Sequence, residues 1–262
     1  MVVAGRLARR VTRSSLPPAA TPRELLLLSC VSVLTHPVLD TLNTYGVRWL
    51  MPFDGRWFYG DALFIVDPWL WLALSLGILL SLRRRRDARS FGADRVRPAR
   101  LALLLAALYA AGMALSGLAA RSMVAAELER RNGIPVDRIL VFPHFATPFR
   151  RSVVAAQGDR YVVGRFHWLH TPRLEPGSLR SYPRDRPAHP AVDRAAATPL
   201  GRRFLGWARF PAWQVEPRGA GSYLVHIVDL RYADRTRVRF GSVAIPVTVE
   251  SGTEGDGTTG TR

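Results

Sequence analysis

The sequence predicts an α+β protein, with three transmembrane helices followed by a small β-rich extracytoplasmic domain. Three observations lead there. Apolar residues make up 48% of the 262-residue chain, and they are concentrated in the first 120 positions. There they form three runs near the ~20 residues that a helix needs to cross a bilayer. Arginine-rich and arginine-poor connections alternate between the runs, as the positive-inside rule requires of a multi-pass protein. Beyond residue 135 the chain turns to β-branched residues bounded by turn formers, the pattern of short strands.

Residues 1–23 hold five arginines and no acid, and are expected to form a basic cytoplasmic segment. A transmembrane helical domain follows over 24–130. Its first span covers about 24–42, its second 62–82 ("ALFIVDPWLWLALSLGILLSL") and its third 101–120. Gly112, Ser116 and Gly117 give the third span a small-residue face for close helix packing. Between the second and third spans, "RRRRDARSFGADRVRPAR" carries eight arginines against two aspartates, which places that connection in the cytoplasm. The loop over 43–61 has only two arginines, and Trp49, Trp57, Phe58 and Tyr59 suit the opposite interface. Three crossings then leave the C-terminal region outside a plasma (inner) membrane. The third helix is expected to run on beyond the bilayer to a turn at Pro135. Strands are predicted in "RILVFP", "RSVVAAQGDRYVVGRFHWL" and "YLVHIVDLRYADRTRVRFGSVAIPVTV", with hairpin turns at "QGDR" and "YADRT". Together they make a β-rich domain over 135–250. Residues 171–190 read as irregular, "AVDRAAATPLGRRFLGWA" as a short helix on the sheet, and 251–262 as a disordered tail with too little apolar surface to fold.

Composition excludes several classes. The net charge of +17 comes from arginine alone, since the chain has no lysine. No interleaved aromatic platform or reading helix accompanies it, so nucleic acid is not the expected partner. Membrane lipids are. Cys30 is the only cysteine, which rules out an intramolecular disulfide and a cysteine-based zinc site. Neither a cleavable signal peptide, a glycine-rich phosphate loop, a serine nucleophile elbow nor a cysteine nucleophile is recognisable.

The chemistry-bearing residues lie where a membrane should not tolerate them. His36 and Asp40 are one helical turn apart near the outer end of the first span; Asp61 and Asp67 lie at the outer start of the second. Buried ionisable groups in a bilayer are costly. One imidazole and several carboxylates form a competent ligand set for a divalent ion such as zinc or manganese, and an ion would offset that cost. Pro37 is expected to break or kink the helix beside His36. Plainer readings stand next to this one: His36 and Asp40 as a simple pair, Asp61 as an interfacial acid, and Asp67 as a helix cap ahead of Pro68. His167 and His170, three apart on a strand, are expected to face opposite sides. His144, His189 and His226 read as surface or hydrogen-bonded residues.

The stretch "THPVLDTLNTYGVRWLMPFDGRWFYGDALFIVDPWLW" resembles the signature of YdjM-type inner-membrane proteins, described as membrane-bound metal-dependent hydrolases: His-Pro-x-x-Asp, Thr-Tyr-Gly, Pro-Phe, then Asp-x-x-Phe-Ile-x-Asp-Pro. "TPFRRSVVAAQGDRYVVGRF", "ARFPAW" and "VDLRY" extend the resemblance into the β region, over most of 24–245. It implies His36, Asp40, Asp61 and Asp67 as metal ligands, Asp61 as the catalytic base, and Thr44, Tyr45 and Gly46 as residues shaping the site. The implied activity is hydrolysis of an ester or phosphoester in a lipid-like substrate, with the ion activating water. Family members carry a preceding His-Arg-Gly-x-Thr-His-Ser stretch that this chain lacks, so it is N-terminally short against them. A competing expectation is a non-catalytic membrane protein, with a structural polar cluster and an outer β domain that binds an envelope component.

Overall fold

The structure, a computed structural model, describes residues 21–86, 93–171, 173–233 and 240–249. The expected basic segment up to residue 20, the tail over 251–262 and the "YADRT" turn from residue 234 on lie outside them.

Helix α1 (Pro22–Thr41) starts on a capping box. Thr21 and Glu24 satisfy each other's backbone N–H groups, and Pro22 occupies the first turn, where a missing N–H costs nothing. None of its residues is buried, and leucines and valines face outward all round. A helix whose leucines and valines stay exposed, with the other described residues meeting it only at its C-terminal end, suits a lipid environment. Pro37 does not break it: the helix continues to Thr41, whose hydroxyl donates to the Pro37 carbonyl at 2.8 Å.

Helix α2 (Pro68–Arg86) begins six residues later than expected and ends in four arginines. Its apolar part is therefore roughly 22 Å long at ~1.5 Å per residue, short of the ~30 Å hydrocarbon layer. Helix α3 (Ala93–Asn132) is one continuous 40-residue rod. Thus α1 and α3 are long and apolar enough to cross a membrane, while α2 by itself is not. The two packed helices α2 and α3 meet at small residues. A Cβ on Gly77 would fall 2.4 Å from the Ala102 Cβ, and Ser81 Oγ accepts from the Ala99 N–H at 3.0 Å.

The far half of α3 belongs to the β-rich region. Strands β1 (Arg138–His144), β2 (Thr147–Gln157), β3 (Arg160–His167) and β4 (Arg180–Pro183) form an antiparallel sheet in that order. Ala120, Val124 and Leu128 of α3 share a core with Val141, Val153, Ala155 and Phe166 on one face. Alternation puts Leu140, Val154 and Tyr161 on the other face, against Phe210, Ala212 and Leu230. These lead into a second antiparallel sheet, β5 (Pro211–Gly219), β6 (Ser222–Asp229) and β7 (Ser242–Thr248). Helices α4 (Pro190–Ala197) and α5 (Pro199–Leu205) follow β4, and α4 covers the second sheet through Ala191, Val192 and Ala195.

Several expectations change in detail. The interval 171–190 contains a short 3-10 helix (Pro176–Ser178) as well as β4. The single helix expected after it is two, because Thr198 ends one and caps the next, accepting from the Gly201 N–H at 3.0 Å. His167 closes β3 and the chain turns at once, so its ring stacks on His170 with centroids 3.9 Å apart instead of facing away.

Candidate functional site

The site lies where the loop between α1 and α2 meets α3 and the β sheets. Asn43, buried, folds the start of that loop by accepting from the Tyr45 and Gly46 N–H groups at 2.7 and 3.2 Å. Gly46 adopts φ +88°, and a Cβ there would strike the Tyr59 ring. Val47 and Phe58 bridge the two arms of the loop. The returning arm then crosses the end of α1. The N–H of Gly60 donates to the Thr41 carbonyl at 2.6 Å, and those of Ala62 and Leu63 to the Leu42 carbonyl at 2.8 and 2.9 Å, satisfying carbonyls that a helix end leaves open.

This close crossing gives a direct expectation. A Cβ on Gly60 would lie 2.8 Å from the Thr41 oxygen and 2.9 Å from the Leu42 Cα. Gly60→Ala should therefore cost about 1–3 kcal/mol, the usual range for overpacking. A melting temperature in detergent equal to that of wild type would contradict it.

The crossing forces Asp61 into a left-handed backbone, φ +51°, with its side chain buried. Each carboxylate oxygen is held by an arginine. Arg121 of α3 donates from Nη2 to Oδ2 at 3.1 Å, and Arg209 donates from Nη1 to Oδ1 at 2.8 Å. Arg209 also stacks 4.2 Å over the Tyr59 ring, and its backbone N–H donates to Asp229 at 2.7 Å. Asp229 forms a second, fully buried pair with Arg231 at 2.7 Å. Arg231 also donates to the Thr44 carbonyl at 2.6 Å and the Trp207 carbonyl at 3.1 Å. Burial raises the Tyr59 phenol above its ordinary pKa, against the pull of Arg231 and Arg209, so it stays neutral. Loop, α3 and the second sheet are joined by one ionic network.

The other sequence-predicted residues have different places. Asp67 is buried and caps α2, accepting from the N–H groups of Trp69 and Leu70 at 3.0 and 3.2 Å; its second oxygen takes the Tyr109 hydroxyl at 3.0 Å. The cap reading of Asp67 before Pro68 is therefore present in the structure, and it is why α2 starts at 68. His36 and Asp40 pair at 3.2 Å on the open face of α1, with side chains 83% and 41% exposed. Thr44 contributes its carbonyl to Arg231. Tyr45 packs among Trp57, Trp207 and Phe240, and Gly46 makes room for Tyr59.

Among the described residues no three His, Cys, Asp or Glu side chains are grouped to hold a metal ion. The four expected ligands are split into an exposed pair, a clamped aspartate and a helix cap. The oxygens of Asp61 and Asp67 already accept charge-assisted or backbone hydrogen bonds, so the arrangement does not fit a shared cation. At Asp61 the positive charge comes from Arg121 and Arg209, and Arg231 neutralises the neighbouring Asp229. The sequence carried a faint signal for them: Arg121 directly follows the third apolar run, and "ARFPAW" and "VDLRY" set charges inside otherwise apolar stretches.

These residues all lie around the Asp-x-x-Phe-Ile-x-Asp-Pro signature. Residues 1–122 match the family model of the YdjM inner membrane protein. The match takes in α1, the signature loop, α2 and α3 as far as Arg121, and bears out the resemblance read from the motifs. The β sheets with Arg209, Asp229 and Arg231 lie beyond the YdjM-matched part, although the motif resemblance was drawn over most of 24–245. No curated protein and no solved structure matches the chain. A YdjM-type inner membrane protein accords with the bare, apolar surface of α1.

Proposed function

We propose that this chain is a membrane-anchored structural protein, in which the acidic signature residues lock a β-rich domain onto the membrane helices so that the domain can dock an envelope component. The observation that carries this reading is the two-armed grip on Asp61. Arginines 60 and 148 residues away in sequence occupy both its oxygens, so the cost of burying the carboxylate is offset by protein cations. Charge distribution supports the orientation. Arg83, Arg84, Arg85 and Arg86 at the end of α2 and Arg95, Arg97 and Arg100 at the start of α3 cluster at the end away from the sheets. By the positive-inside rule this favours the cytoplasm for that end and the other side for the β domain.

The test is elemental analysis of the purified protein in detergent, beside His36→Ala and Asp40→Ala. The structural reading expects substoichiometric metal in all three, with little change in melting temperature for the two exposed residues. One zinc or manganese ion per chain, lost in both variants, would overturn it and favour the metal-dependent hydrolase that the family resemblance implies.

A further inference from the structure

The first sheet stands along α3 with one end directed into the apolar half of that helix. Arg151, near the middle of β2, donates to the Met113 carbonyl at 2.6 Å and to Ser116 Oγ at 3.0 Å; Trp168, just past β3, reaches the same Ser116 Oγ at 2.9 Å. At the far end of β2, Gln157 donates to the Leu128 carbonyl at 3.3 Å. The β1–β2 tip lies lower still. Trp69 Nε1 donates to the Ala146 carbonyl at 3.2 Å, Phe145 packs edge-on against Phe64 with centroids 5.3 Å apart, and Asp67, two residues before Trp69, bonds Tyr109. The tip is therefore abreast of Tyr109 on α3.

Helix rise converts this into depth. Counting from Arg100 at the basic end, Tyr109 is about 14 Å along the helix and Arg121 about 32 Å at ~1.5 Å per residue. A hydrocarbon layer of ~30 Å thus ends near Arg121, well beyond the tip. The residues there suit that position. Phe145, Phe149 and Leu169 are 54%, 47% and 69% exposed, on three neighbouring pieces of backbone; the Trp168 N–H donates to the Phe149 carbonyl at 2.9 Å. The segment between Asp61 and Asp67 descends over the same depth without being helical. Its Ala62 and Leu63 are buried and its Ile65 and Val66 exposed. Irregular backbone at membrane depth is tolerated only where protein covers it, and the hairpin tip supplies cover at Phe64.

We propose that the β1–β2 tip and the turn after β3 are inserted in the hydrocarbon layer from the β-domain side, the tip reaching toward its middle, with Phe145, Phe149 and Leu169 in contact with acyl chains. The sheet is then wedged beside the helices rather than perched above the bilayer. This rests only on the chain being an inner membrane protein, and holds whether or not the domain docks a partner. The lipid is the occupant because the patch is continuous with Trp69, Val66 and the bare face of α2.

The test uses Cys30→Ser as background, since Cys30 is the only cysteine. Single cysteines replace Phe145, Phe149 or Leu169, with Asp159→Cys at the opposite end of the same sheet as reference. Each is labelled with an environment-sensitive fluorophore in vesicles of phosphatidylcholine and phosphatidylglycerol. Labels at 145, 149 and 169 should be quenched several-fold more by spin-labelled acyl chains than the label at 159, and should resist aqueous iodide. Iodide quenching equal to that at 159 would overturn the proposal, and so would protection from both quenchers, which would mean a protein neighbour on the patch. Correct folding is checked independently by the melting temperature of each labelled protein.

Discussion

Asp61→Ala should lower the stability of the detergent-solubilised protein by about 3 kcal/mol. That is the low end for breaking a buried ion pair from one side, because Arg121 and Arg209 retain 33% and 22% exposure while Asp61 has 3%. In a chain of this size the loss corresponds to a fall in melting temperature of roughly 6–12 °C. The backbone adds to the loss: at φ +51°, aspartate, asparagine or glycine is more at ease than alanine. Asp61→Asn therefore isolates the charge, since it keeps the shape and tolerates the left-handed conformation. The double variant Asp61→Asn with Arg121→Gln should be less destabilised than the two single effects added, because the groups share one interaction. Additive losses, or an Asp61→Asn protein that melts like wild type, would show that the clamp holds nothing.

Arg231→Ala should be as damaging or more so, about 3–5 kcal/mol. Both Arg231 and Asp229 are fully buried, so the variant strands a carboxylate in the interior and removes the donors to Thr44 and Trp207. It also empties the space 4.5 Å above the Trp207 ring. Arg231→Lys should not rescue it, because one ammonium cannot serve Asp229 and two carbonyls in diverging directions as a guanidinium fork does. Replacing Asp229 and Arg231 together by apolar residues of similar volume should recover much of the loss. Limited proteolysis provides the readout. Early cleavage in the loop over 43–61 for Arg231→Ala, and wild-type resistance for the apolar pair, is the expected pattern. Wild-type resistance in Arg231→Ala would remove the second pair from the account of how the domain is held.

Much of the architecture was legible because the signals are local. The leucine run marks α1, and the alternation around "QGDR" marks β2 and β3 with their turn. Asp67 before Pro68 was open between cap and ligand; the cap is formed, and it explains why the second apolar run has a non-helical start. The convergence expected of His36, Asp40, Asp61 and Asp67 was reasonable on charge alone, since something has to compensate buried carboxylates. What compensates Asp61 could not be read, because Arg121 and Arg209 reach it from 60 and 148 positions away. Periodicity carries no information about partners at such separations. His167 and His170 failed for a smaller reason: β3 ends at His167, three residues short of His170, so strand geometry does not hold between them.

The sequence by itself determined where the apolar runs and strands lie, and that acids sit beside the membrane, because helix and strand periods and hydropathy act over a few residues. The tertiary structure alone decided what those acids do. Burial fixes the cost of a charge, but only the folded arrangement of loop, α3 and sheets brings arginines rather than further ligands to Asp61. The same arrangement set the depth of the β hairpins, which depends on where β2 is pinned along α3 and not on any property of the strands themselves.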